Sequence, residues 1–162
     1  MDAGSGMSVA QTLTDQPADN TSQVGPLLDQ IDGQIGRVTA DGAYDGAPTY
    51  RTIARHGEGI GVVIPPRAGA VPSCELGPPT QRDRHRERGT PQGRLQWQAA
   101  TGYGQRSLVE TAMGGYKALI GPRLRARGFA AQQTRAAIGV AVLNRMLGAA
   151  RPKSVRRERV AA

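Results

Sequence analysis

Residues 38–64, VTADGAYDGAPTYRTIARHGEGIGVVI, decide the fold. Val38 to Ala40 are a short apolar run that predicts a buried strand, and the run delivers Asp41 at its carboxyl end, just before a glycine turn. Pro48 starts a short helix through Tyr50, Ile53 and Ala54, and Gly57 to Gly59 stop it. Ile60 to Ile64 read as a second strand, terminated by Pro65 and Pro66. Upstream, Met7 to Leu13 carry β-tolerant residues with partial alternation and predict a strand, which TDQPADNTSQ breaks. Ser22 is a suitable N-cap for a helix holding Val24, Leu27, Leu28 and Ile31, with Pro26 in its first turn. Strands alternating with helices argue for an α/β layer. An Asp just past the carboxyl end of a strand is where sites in such sheets lie, although Asp before Gly is also ordinary turn chemistry.

Downstream, residues 103–117 read YGQRSLVETAMGGYK. Taken as a helix, the intervals of three, four and seven put Tyr103, Arg106, Glu110 and Lys117 on one face. A carboxylate flanked by two cations and a phenol suits a metal ion held beside a phosphate backbone, because the cations neutralise phosphate while the carboxylate takes the metal. The plainer reading is a solvated helix face with an i, i+4 ion pair worth a few tenths of a kcal/mol.

This spacing resembles the Tyr-Arg-Glu-Lys signature of DDE-type bacterial insertion-sequence transposases. VTADGAYDG, GVVIPPR, IGPRLRARGF and the helix ending in VLNRM resemble the same family, so the likeness covers nearly the whole chain apart from its basic tail. The resemblance implies an α/β, ribonuclease-H-like catalytic domain with a mixed sheet and flanking helices. It further implies two Mg2+ or Mn2+ ions for cleavage and strand transfer at transposon ends. Asp41 and Glu110 are then the second and third carboxylates and bind metal; Arg106 and Lys117 hold phosphates, and Tyr103 packs against or hydrogen-bonds the DNA strand. The family's first catalytic Asp belongs to a strand upstream of the segment that MDAGSGMSVAQTL resembles, and Asp2 reads as a turn residue instead. The expectation is an N-terminally truncated or split transposase, inactive alone, whose partners are transposon-end and target DNA and an N-terminal transposase fragment or a second copy. The competing expectation is a non-enzymatic basic protein that binds DNA or regulates a transposase.

The 162 residues allow one domain, expected over 1–150 with a basic tail at 151–162. Hydrophobic residues make up 38% and aromatics 4%, so the core must rest on Val, Ile, Leu and Ala, with Trp97 and Phe129 as large fillers. A net charge of +8 favours a polyanionic partner, nucleic acid first. Cys74 is the only cysteine, which excludes an intrachain disulfide and a cysteine-based zinc site and makes the cytoplasm the expected compartment; the transposase resemblance implies association with the nucleoid there. No apolar run spans a bilayer. His56 and His85 do not pair as metal ligands, and no Ser sits in a nucleophile elbow. Residues 67–93, rich in Gly, Pro and arginine, predict a mobile basic loop. Beyond it, Ser107 to about Leu124 predict the helix bearing Glu110, with Gly114 and Gly115 read as a point of close approach and Pro122 ending or kinking it. Ala131 to Leu147 predict a last helix packing through Ile138, Val142 and Met146.

Overall fold

Val38 and Val62 face each other across a parallel ladder, with Arg37 opposite Gly61 and Thr39 opposite Val63. The ladder is the centre of a computed structural model that describes residues 1–14, 19–71 and 79–149; Cys74 and the expected tail at 151–162 lie outside them. Along the chain run α1 (Val24–Leu28), β1 (Arg37–Thr39), α2 (Ala47–His56), β2 (Gly61–Val63), α3 (Gln81–Thr101), α4 (Ser107–Leu119) and α5 (Phe129–Ala149). Single 3-10 turns occupy Asn20–Gln23, Gly42–Tyr44 and Tyr103–Arg106. The described part is thus helix-rich, with a two-stranded parallel sheet in place of the larger mixed sheet expected.

A β-α-β unit, β1–α2–β2, organises the core. Pro48 sits in the first turn of α2, where no amide hydrogen is needed. Thr49 and Ile53, one turn apart, form its buried face. Ile53 and Ile64 are fully buried, and Val24, Leu28, Ile60 and Val62 complete the cluster. Each such side chain contributes about 1.5–3 kcal/mol on burial. A ladder of this size is not stable in isolation, so the helices packed on it hold it together. α1 leans on α2, and its C-terminal end is tied there by His56, whose ring bonds Asp29 Oδ1 at 2.9 Å and the Thr52 carbonyl at 2.8 Å.

Several expectations are corrected. Met7 to Leu13 form no strand; the segment is bound by side-chain amides instead. The Ser8 N–H donates to Asn144 Oδ1 at 2.9 Å, Asn144 Nδ2 donates to the Ser8 carbonyl at 2.8 Å, and Gln133 Nε2 donates to the Leu13 carbonyl at 3.3 Å. The cap of the first helical turn is Asp19, not Ser22. Residues 81–92, expected as loop, are helical. The cause is a capping box: the Asp83 N–H donates to Thr80 Oγ1 at 3.2 Å, and the Thr80 N–H donates back to Asp83 Oδ2 at 3.1 Å. The helical path breaks at Gly93, two residues after Pro91.

The last two helices also differ from expectation. α4 ends at Leu119, before Pro122. Among the described residues nothing outside α4 comes within 4 Å of a Cβ built at Gly114 or Gly115. The close approach is at Gly139 of α5, where a Cβ would lie 2.7 Å from Tyr116 Cε2 and 2.8 Å from its hydroxyl. Ile138, Val142 and Met146 are 60%, 42% and 47% exposed, while Gly139 lies against Tyr116 and Val140, Leu143 and Leu147 are half-buried. Phe129 is likewise partly exposed, whereas Trp97 is buried as expected.

Candidate functional site

Asp41 leaves β1 in extended conformation and caps the Gly42–Tyr44 turn, its Oδ1 accepting the Ala43 N–H at 2.9 Å. The turn is braced from two directions. Arg67, at the exit of β2, donates Nε to the Gly42 carbonyl at 2.8 Å and Nη2 to the Ala43 carbonyl. Asp45, at the end of the turn, accepts the Arg67 N–H at 2.9 Å and Arg82 Nε at 2.8 Å. The Asp45 side chain is only 1% exposed, so its pair with Arg82 pins the start of α3 to the Asp41 turn. This hydrogen bond to Asp45 raises the Arg82 pKa further. Beside the pair, burial first and the Asp45 charge second push the Tyr50 phenol up.

The second half of the site arrives from α3 and α4. Gly102 ends α3 at φ 69°, a left-handed conformation that glycine adopts without strain, and the chain enters the Tyr103–Arg106 turn directly. Arg37 Nη1 donates to the Thr101 carbonyl at 3.3 Å, which ties this junction to β1. Trp97, buried in α3, lies under Tyr103 with ring centroids 5.4 Å apart. Arg106 then reaches both carboxylates: Nη2 donates to Asp41 Oδ2 at 3.0 Å and Nη1 to Glu110 Oε1 at 2.5 Å. The bond to Glu110 first, and the one to Asp41 after it, raise the Arg106 pKa.

One guanidinium therefore holds two carboxylates from distant parts of the sequence around a single positive group. Two anionic oxygen donors converging on one cation are of the kind a hard divalent ion takes, while among the described residues no group of three His, Cys, Asp or Glu forms around them. On one side Asp41 and Arg106 border a groove with Gly42, Pro65, Trp97 and Tyr103. On the other they border an apolar hollow with Val9, Ile31, Ile35 and Val109. The family model described as Transposase DDE domain matches residues 1–145. The chain belongs to this family. No solved structure matches it.

Membership makes the chain a transposition-related protein, in a family that generally uses divalent metals and has DNA as its partner. Of the residues singled out in this DDE domain, Asp41, Arg106 and Glu110 come together, and Tyr103 borders the same groove. Tyr103 and Arg106 lie on the 3-10 turn and not on the helix with Glu110. Lys117 is exposed and stands seven residues along α4 from Glu110, about 10 Å at 1.5 Å per residue. Asp2 accepts the Gly4 and Ser5 amides within a local turn, as its sequence suggested. Sequence reasoning missed Arg67, Asp45 and Arg82. The spacing Thr80-Gln-Arg-Asp83 was a legible helix start, and it would have put Arg82 on an ordered element. Among the described residues no helix is long and apolar enough to cross a membrane.

Proposed function

We propose that this chain supplies Asp41 and Glu110 as metal ligands for phosphodiester cleavage and strand transfer at transposon ends, within a ribonuclease-H-like arrangement. The carrying observation is the Arg106 guanidinium held by both carboxylates at 3.0 and 2.5 Å. Divalent ions bound there supply an activated water or 3′ hydroxyl and stabilise the leaving oxygen. The chain's own residues do the rest. Arg106, relieved of its carboxylates, turns to a non-bridging phosphate oxygen, for which its planar fork is suited. Tyr103, backed by Trp97, packs against the sugar or base beside that phosphate. Lys117 takes a phosphate farther along the strand.

Among the described residues no third Asp, Glu, His or Cys joins Asp41 and Glu110 in a metal-sized group. The proposal therefore includes a third carboxylate from outside the described residues, as from an N-terminal transposase fragment or a second protomer. The same observation, with the net charge of +8, favours as a second reading a DNA-binding regulator without catalysis.

A plasmid-nicking assay with Mn2+ separates these readings. The chain alone is expected to leave supercoiled DNA intact, and co-expression with a family fragment carrying the first Asp is expected to restore nicking, with loss again in Asp41→Asn and in Glu110→Gln. Nicking that survives either substitution refutes the site. Robust nicking by the chain alone refutes the need for a third carboxylate from elsewhere, and DNA binding with no nicking under any complementation supports the regulator.

A further inference from the structure

Charge is unevenly distributed along this chain. Residues 1–66 hold eight acidic side chains against three arginines. From Thr111 to Ala149 there are Lys117, Arg123, Arg125, Arg127, Arg135 and Arg145, and no Asp or Glu at all. Three of these cations sit in the connection between α4 and α5, GPRLRARG, where exposure alternates: Arg123, Arg125 and Arg127 are exposed, while Leu124 and Ala126 are half-buried. With Leu124 and Ala126 turned toward the protein, the three arginines are left on the exposed side of the connection. None of the three has a hydrogen bond or ion pair among the described residues.

The connection is held in place. The Gly121 N–H donates to the Tyr116 carbonyl at 3.2 Å, the Ala126 carbonyl accepts Gln132 Nε2 at 3.1 Å, and the Gln132 N–H returns to the Gly128 carbonyl at 3.1 Å. Steps of two residues separate successive arginine Cα atoms by at most about 7 Å, so the row spans at most about 14 Å. That length matches about four nucleotides of one strand at 3.4 Å each. Like charges at such spacing repel one another, and no carboxylate in α4–α5 beyond Glu110 offsets them. A polyanion of regular spacing relieves this repulsion.

We infer that Arg123, Arg125 and Arg127 form a backbone-docking row for duplex DNA, separate from the Asp41–Glu110 site and indifferent to base sequence. The choice of DNA rests on the transposase reading. Anisotropy titrations of the full chain on a random duplex of about 30 base pairs, across a range of salt, test it. Changing all three arginines to Gln should reduce the slope of log K against log salt by about 2.7, at about 0.9 per phosphate. The triple Lys variant should keep the slope, since it keeps the charges. Arg55→Gln, on α2, should leave it unchanged.

A slope change below about 1 in a triple Gln variant with an unaltered melting curve overturns the row. So does an equal change in Arg55→Gln, or tighter binding of an RNA duplex of the same length. If the triple variant does not fold, Arg125→Gln alone must shift the slope by about 0.9, and no shift overturns the inference. The two proposals fail separately. Complemented nicking that ignores Asp41 refutes the metal site without touching the arginine row, and a salt slope that ignores the three arginines overturns the row without touching the metal site.

Discussion

Replacing Asp45 by Ala is expected to destabilise the fold by about 3–5 kcal/mol, the cost of leaving one partner of a buried ion pair unmatched. The structure sets that magnitude. The Asp45 side chain is 1% exposed and Arg82 14%, so neither charge is screened well by water. Asp45 accepts from Arg82 Nε at 2.8 Å, from Arg82 Nη2 at 3.4 Å and from the Arg67 N–H at 2.9 Å, and the substitution strands all three donors. With typical domain stabilities of about 5–15 kcal/mol, a large part of the total is lost. Urea denaturation followed by far-UV circular dichroism measures it. Asp45→Asn keeps the shape and one acceptor oxygen and should fall between wild type and Ala. Asp45→Leu with Arg82→Leu should recover much of the loss, leaving chiefly the Arg67 N–H unpaired at about 1–3 kcal/mol. An Asp45→Ala midpoint equivalent to a loss below about 1 kcal/mol, in the range of an exposed pair, would show that the clamp on the Asp41 turn carries no such weight.

Other outcomes follow from single contacts. Gly139→Val should cost about 1–3 kcal/mol, since its side chain enters the space of the Tyr116 ring; a melting temperature equal to wild type contradicts the packing described. Tyr116→Phe should be neutral or slightly stabilising, because it removes a buried hydroxyl that has no hydrogen-bond partner among the described residues, and a clear drop in melting temperature refutes this. His56 is raised above its ordinary pKa, first by the bond to the Thr52 carbonyl and then by Asp29, because the doubly protonated ring can donate to both. Its contribution is therefore complete below the ordinary histidine range and disappears as pH rises through the raised value, so wild type and His56→Gln should differ in melting temperature at acid pH and converge at alkaline pH. Arg106→Gln removes two exposed pairs worth at most about 1 kcal/mol each. If Asp41 and Glu110 bind metal as proposed, terbium luminescence should show ion binding at the freed carboxylates strengthened by up to roughly thirtyfold, and weaker binding than wild type counts against competition between Arg106 and the ion.

The β-α-β unit was legible because its signals are local: a proline where no amide hydrogen is needed, glycines that stop a helix, and an apolar run ended by two prolines. Asp41, Arg106 and Glu110 were legible through spacing and family likeness. That Arg106 holds both acids was not, since the contact joins residues 65 positions apart. The loop reading of 81–93 gave weight to arginines and glycine and overlooked the cap formed by Thr80 and Asp83. The expected strand at Met7 to Leu13 has the right composition, but a strand also needs a neighbour, and here its polar groups are met by Asn144 and Gln133. For α5 the four-residue interval of Ile138, Val142 and Met146 identified an apolar stripe correctly. It could not reveal that a glycine on another side admits the neighbouring ring.

The Ser8–Asn144 clasp has a consequence in time. Its partners are 136 residues apart in sequence, and closing a loop of that length costs about 4 kcal/mol of chain entropy beyond a constant. During synthesis at about 5–20 residues per second, Ser8 waits on the order of ten to thirty seconds before Asn144 exists. The β-α-β unit can form within that interval, whereas the N-terminal segment cannot be seated until α5 is made. The Asp41 turn is thus able to assemble early, and the apolar hollow beside it stays open to other segments until the last described helix closes the clasp.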